Sequence, residues 1–355
     1  MRFILALLIL LITTTAVYAD DEAVDTIHYV LSAGQKISDL QPFRTALTSL
    51  GYQFKPFHSD EMTDMTLGFL GGVNDEGMFN FSLHTKQHLF VETLSPLLYS
   101  RYEDVLLGDT VAQFIEIPSD EALLQYLDFV MSYINGQCEH VLEVGDELDI
   151  EVIHPKTTSF IQFAMGNCEL ISEHYDLAVD YFLTAISIQE EDDTVQPLQM
   201  IAPYVNLSWA YIQLGEFDLA REQMDMLVEQ SNEFTDVLKA LVLEHRAQLL
   251  ALMFDYTSAI EDMDAVIELI HSDYGLARTY KQRGDIIMLI YEWNRALEDY
   301  NTAIELDPDY AEAYYRRGIL LYTMVEREDA IVDFERYLAL DRDGEFAESA
   351  QEYIN

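Results

Sequence analysis

Residues 277–310 read ARTYKQRGDIIMLIYEWNRALEDYNTAIELDPDY, and residues 311–344 continue as AEAYYRRGILLYTMVEREDAIVDFERYLALDRDG. Laid over each other, these stretches set Gly284 on Gly318, Ala296 on Ala330 and Tyr300 on Phe334. The pattern extends toward the N-terminus. An Ala followed four residues on by a large apolar residue recurs as Ala178/Phe182, Ala220/Met224, Ala259/Met263, Ala296/Tyr300 and Ala330/Phe334. Successive alanines lie 42, 39, 37 and 34 residues apart, and twelve residues before each sits a small residue: Gly166, Ser208, Ala247, Gly284 and Gly318. Three before it comes Tyr175, Phe217, Tyr256, Trp293 or Arg327. The spacing predicts two antiparallel helices per unit, with small residues where the backbones cross and aromatics beside them. No such unit buries its apolar faces alone, so neighbours must stack. Pro308, in Leu306-Asp307-Pro308-Asp309, stops one helix and lets the next begin.

These residues resemble the tetratricopeptide repeat (TPR), a unit of 34 residues folded as helix-turn-helix. The resemblance covers five units, 159–192, 201–234, 240–273, 277–310 and 311–344, slightly over half the chain. It implies an all-α solenoid, a right-handed superhelix of helix-turn-helix units. The apolar face of 345–355, with Phe346, Ala347, Ala350, Tyr353 and Ile354, predicts a helix capping the last unit.

The resemblance also implies a concave groove lined by the first helix of each unit. Carried over by position, its candidates are Phe163, Asn167, Asn206, Trp209, His245, Gln248, Arg278, Lys281, Tyr315 and Tyr322. A variant of the family clamps a peptide carboxylate with two Asn and three cations. Asn167 and Asn206 match the amides, but Phe163, Leu241 and His245 stand where the cations belong. Residues 20–158 carry net −18 and 159–276 net −19, whereas 277–344, with 15 acids and 9 bases, carry only −6. A groove with an apolar, acid-rimmed start and a basic end suits an extended peptide of mixed character. The competing reading puts Arg283 and Arg317 in structural ion pairs.

Upstream of the repeats, residues 20–156 predict a small α+β domain. Strands are expected at 27–31 and 52–57, around a helix at 38–50 with Ser38 as N-cap and Gly51 closing it. A hairpin is expected from 78–83 and 89–94 about Thr85-Lys86-Gln87. Residues 121–134 carry an apolar helical stripe that includes Leu123, Leu124, Leu127, Val130, Met131 and Ile134. A second hairpin is expected about Gly145-Asp146, and His154-Pro155-Lys156 reads as a linker. Cys138 and Cys168 either form one bridge or stay as two buried thiols.

The first nineteen residues read as a secretory signal peptide: Arg2, an apolar run from Phe3 to Ile12, then Val17-Tyr18-Ala19 before Asp20. The expected location is therefore secreted, periplasmic or extracellular. With 19 Lys+Arg against 64 Asp+Glu, a net −45, neither a nucleic acid nor an anionic membrane surface is an expected partner. Half the residues are apolar, which sets the chain apart from disordered acidic tails.

No nucleophile elbow, zinc helix, phosphate loop or dinucleotide fingerprint occurs, and no cofactor is expected. The Gly68, Gly71, Gly72 and Gly77 cluster reads as a loop, His84 and His88 as polar turn residues, and Glu190-Glu191-Asp192-Asp193 as a solvated loop. The leading expectation is a non-enzymatic scaffold for a protein or peptide. Two rivals are an N-terminal enzyme or small-ligand sensor with the repeats as a targeting arm, and a structural role in a saline habitat. The last rests on only 6 of 19 basic residues being Lys.

Overall fold

The computed structural model describes residues 26–29, 40–56, 67–73, 79–84, 110–117, 119–148, 155–191, 197–342 and 344–355. The expected signal segment, Ser38, Gly77, the turn expected at Thr85-Lys86-Gln87, His88, the strand expected at 89–94 and Asp192-Asp193 lie outside them. The chain divides into two compact units, residues 1–227 and 228–355.

In the first unit, β1 (Thr26–Tyr29), β2 (Gln53–Pro56), β3 (Leu67–Val73), β4 (Phe79–His84) and β5 (Thr110–Ile117) form a sheet in the order β2-β1-β3-β4-β5. β1 runs parallel to β2 and β3, while β3–β4 and β4–β5 are antiparallel. A parallel pair needs a crossover, which α1 (Gln41–Ser49) supplies between β1 and β2. Phe43, Ala46 and Leu47 make its buried stripe. The N-cap position falls at Leu40, not Ser38, and Pro42 in the first turn has no amide hydrogen to leave unsatisfied. Gly68, Gly71 and Gly72, read as a loop, instead sit in β3, where Gly68 pairs with both β1 and β4, and Gly71 and Gly72 pair with β4.

α2 (Asp120–Ile134) starts on Ser119, whose hydroxyl accepts from the Ala122 amide at 3.2 Å. Its stripe is buried as expected except for Leu124, which is exposed. Gly136, at φ 68, turns the chain into α3 (Cys138–Glu147), a helix where a hairpin was expected. The reason is packing: Val141 and Gly145, one turn apart, are its buried face, and a Cβ on Gly145 would lie 2.6 Å from Met165 Sδ. That glycine marks a close helix approach and not a turn.

The linker reading is likewise corrected. Pro155 begins α4 (Pro155–Ile171), in the first turn, where a missing amide hydrogen costs nothing. Ile161, Ala164, Met165 and Cys168 of α4 belong to the same core as Ile27, Phe43, Leu47, Ile117 and Phe129. Each fully buried Leu, Ile or Phe there contributes about 1.5–3 kcal/mol. Cys138 and Cys168 form a disulfide between α3 and α4, their Cα atoms 5.0 Å apart.

Helices α5 (Tyr175–Glu190), α6 (Pro197–Leu214) and α7 (Phe217–Gln230) follow. The second unit holds α8 (Asp236–Leu252), α9 (Tyr256–Leu269), α10 (Asp273–Leu289), α11 (Trp293–Leu306), α12 (Ala311–Thr323), α13 (Arg327–Leu340) and α14 (Ala347–Ile354). Of the fourteen α-helices among the described residues, the eleven from α4 onward make an all-α, TPR-like repeat array.

The small-residue logic is visible in atoms. A Cβ on Gly166 would lie 2.7 Å from the Phe182 ring, and one on Gly284 or Gly318 would lie 2.9 Å from Tyr300 or Phe334. The preceding residues add a ladder. Arg283 reaches Asp299 by a two-pronged bond of 2.9 and 2.6 Å, Arg317 reaches Asp333 at 2.8 and 2.7 Å, and Arg246 reaches Asp262 at 2.8 and 2.6 Å. The third arm holds the previous second helix, through Arg283 to Asp264 at 2.6 Å and Arg317 to Asn301 at 2.7 Å. Each of these two arginines thus ties three helices, the structural alternative raised for them above.

Every first helix of a repeat pair closes on a residue in the left-handed region: Glu173, Gly215, Phe254, Tyr291 and Val325. At Phe254 the amides of Phe254 and Asp255 donate back to Ala251 and Leu250, satisfying the helix's last carbonyls. For a residue with a side chain this conformation costs roughly 1–2 kcal/mol. α14 covers the last repeat: Tyr353 stacks on Phe334 at 4.9 Å and Phe346 on Tyr315 at 4.5 Å.

Candidate functional site

The first-helix residues proposed as a groove are placed unevenly. In the first unit, Phe163 is buried 6.0 Å from the Phe182 ring, and Trp209 is also buried. The Asn167 amide donates to the Tyr133 hydroxyl at 2.6 Å, and the Asn206 amide donates to Asn167 Oδ1 at 2.6 Å. This buried relay joins α2, α4 and α6. Burial pushes the Tyr133 hydroxyl up to about 12, against the lowering effect of the Asn167 bond, so it stays neutral. One amide donor of each Asn is already committed, so the relay is a structural pin in a place where a carboxylate clamp would need free donors.

In the second unit, α10 and α12 converge on a partly buried charge cluster. Lys281, only 3% exposed, donates to Glu312 at 2.8 Å and lies 3.5 Å from Asp285. Arg316 lies 3.3 Å from Glu312 and 3.8 Å from Asp285, and Tyr300 donates to Asp285 at 2.7 Å. Burial alone would lower the Lys281 pKa, but Asp285, Tyr310 and Glu312 outweigh it and hold the ammonium above its ordinary value. Burial alone would raise the Glu312 carboxyl, yet Lys281 and then Arg316 keep it below the usual range. Lys281 is therefore spent on neighbours. Arg278, one turn away on the same helix, is exposed and lies 6.0 Å over the Tyr274 ring.

Beside this cluster, Gln282 donates to Glu244, and Gln248 is buried. Burial lowers the half-buried His245 imidazole against the opposing pull of Glu244. Tyr315 bonds Ser349 at 3.0 Å under Phe346, and Tyr322 meets Tyr353 at 4.9 Å. Both tyrosines therefore serve the capping helix. Tyr133 and Glu312 belong to these networks although no sequence candidate named them. The 16-residue Arg–Asp register was present in the sequence as Arg283-Gly284 against Asp299-Tyr300 and could have exposed the ladder. Among the described residues no helix is long and apolar enough to cross a membrane.

The repeated helix pairs with glycine–aromatic crossings define a helical repeat protein. Two stretches of it are similar to tetratricopeptide repeats: a family model described as TPR repeat matches residues 284–325, and one described as Tetratricopeptide repeat matches residues 201–230. Such repeats generally bind proteins or peptides and are typically non-catalytic. No curated protein matches the chain. Among solved structures, a tetratricopeptide repeat protein from Parabacteroides merdae is 18% identical, covering 67% of this chain and 84% of its own, with a TM-score of 0.46. The C-terminal part of a TPR repeat-containing protein from Cytophaga hutchinsonii is 16% identical, covering 64% and 93%, with a TM-score of 0.45. YrrB, described as a TPR protein with an unusual peptide-binding site, is 15% identical, covering 55% and 92%, with a TM-score of 0.36.

Proposed function

We propose that this chain is an exported, non-enzymatic scaffold with an α+β N-terminal domain, whose repeats hold a protein or peptide partner on their first-helix face. The observation that carries the reading is the α10–α12 cluster. Lys281, Asp285, Glu312 and Arg316 fix one another in place, so the face beside exposed Arg278 is rigid before any partner arrives. Preorganised polar groups lose little entropy on binding, which favours recognition of an extended segment. The apolar run before Asp20 supports export, and the Cys138–Cys168 disulfide suits an oxidising compartment.

The test is affinity capture from the native envelope or culture fluid with mature 20–355 as bait, beside an Arg278→Glu variant. Arg278 is exposed, so the variant keeps its helicity by circular dichroism. A partner held by the parent and lost by the variant supports the first-helix face. The same partners on both baits, or none on either, removes the reading. Mass spectrometry of the native protein should find Asp20 as the first residue; an intact leader in the cell fraction refutes export.

A further inference from the structure

The turns that close the first helices of the second unit carry a feature that peptide binding on the helix face does not use. Phe254, Tyr291 and Val325 occupy the left-handed region at φ 63, 62 and 69, where aromatic and β-branched residues are strained. The equivalent turn after α6 uses Gly215, at φ 80, which escapes that penalty. These same side chains are the most exposed large apolar groups among the described residues, at 69%, 79% and 85%. Each position therefore bears backbone strain and gains no burial in return. Selection for folding alone favours glycine at all three. Single exposed apolar groups are ordinary, but a set repeated along one edge marks an interaction site, and strained turns are where such sites concentrate. They recur once per repeat, 37 and 34 residues apart, at the same turn of each helix pair.

Charge limits what can cover them. An acid follows each one directly: Asp255, Glu292 and Glu326, with Glu328 and Asp329 exposed beyond the last. The nearby cations are engaged, Arg295 with Glu292 at 2.7 Å and Arg327 with the Tyr322 hydroxyl at 3.2 Å. A second copy of a chain at net −45 would bring acid against acid, and an anionic bilayer would do the same. We propose that this turn edge docks a basic protein segment whose apolar side chains meet Phe254, Tyr291 and Val325.

The test uses the full chain and a fluorescent amphipathic Lys/Leu peptide, read by anisotropy. Comparison ligands are a Lys/Ser peptide of equal charge, a Glu/Leu peptide and phosphatidylserine-rich vesicles. The variant is Phe254→Gly/Tyr291→Gly/Val325→Gly, which deletes the apolar row while relaxing the backbone, so its melting temperature should rise. The parent is expected to bind the Lys/Leu peptide at least ~10-fold more tightly than it binds Lys/Ser, and the variant to lose that margin. Equal binding by parent and variant, or no binding by the parent, overturns the proposal. Vesicle binding that the variant loses, with no peptide preference, transfers the edge to a membrane. A variant that melts lower refutes the strain argument.

Discussion

Two ion pairs in the second unit have the same length and should have very different energetic weight. Arg317 Nη2 lies 2.7 Å from Asp333 Oδ1, and Arg295 Nη1 lies 2.7 Å from Glu292 Oε2. The inner pair is 22% and 4% exposed, the outer one 50% and 48%. The inner guanidinium also makes a second bond to Asp333 at 2.8 Å and a third to Asn301 at 2.7 Å. Removing one partner of a fully buried pair costs about 3–5 kcal/mol, because the other charge is left unpaired. The solvent edge of Arg317 reduces this, so Asp333→Ala should cost about 2–3 kcal/mol. A double-mutant cycle with Arg317→Met should return a coupling of about 1.5–3 kcal/mol. The same cycle on Glu292 and Arg295 should return about 0–0.5 kcal/mol. Urea unfolding followed by far-UV circular dichroism measures both, with an unchanged m-value as the condition for comparing them. Because repeats can open one at a time, hydrogen exchange at the α13 amides gives a local second reading. If the two couplings agree within ~0.3 kcal/mol, burial does not set the strength of the ladder and the three-helix tie is decorative.

Three other consequences can be checked on the same material. Gly284→Val should destabilise by about 2–3 kcal/mol, since its Cβ would meet Tyr300, which Asp285 pins; unchanged thermal stability would show that the ring can yield. Reducing the Cys138–Cys168 bridge, which closes a loop with a sequence separation of 30, should cost about 3–4 kcal/mol on the chain-entropy account. An equal urea midpoint with and without reductant would contradict it. Glu312 has a lowered carboxyl pKa in the fold, so its contribution is complete above its unfolded value of about 4.3 and is lost as pH falls through the folded value. Glu312→Gln should therefore flatten the acid limb of the stability profile, and a superimposable limb would exclude this cluster as its source.

The repeats were legible because their signal is periodic and local. Gly166, Gly284 and Gly318 were placed at helix crossings from spacing alone, and each faces the aromatic ring sixteen residues on. α3 and the start of α4 were misread because their defining contacts lie elsewhere in the chain. Gly145 beside Asp146 has turn chemistry, and only Met165, twenty residues away, reveals it as a contact glycine. Pro155 looks like punctuation until the core shared by α4 and β1 shows that a helix has to begin there. The site was less legible for a related reason. Repeat position identifies which helix face a residue occupies, but not what the next helix brings to it. Lys281 falls at a ligand-facing place, and Glu312, 31 residues later, takes its charge.

That last contact bears on the polarity of the whole repeat array. The region 277–344 contains nine of the nineteen basic residues, and by sequence it looks like a basic end to an acidic groove. In the fold, Lys281, Arg283, Arg295, Arg316, Arg317 and Arg336 each hold a carboxylate of this chain. The mild net charge of the region is thus mainly internal neutralisation, and little of it is positive surface offered to a ligand. A partner approaching the second unit meets Arg278 together with the acids of the turns, so attraction to anionic segments is weaker than composition suggests. The same pairing explains how so acidic a chain closes its last repeats. Arginines placed beside the crossing glycines spend their charge on tying helices together, where a planar two-pronged donor is worth more than it would be in solvent.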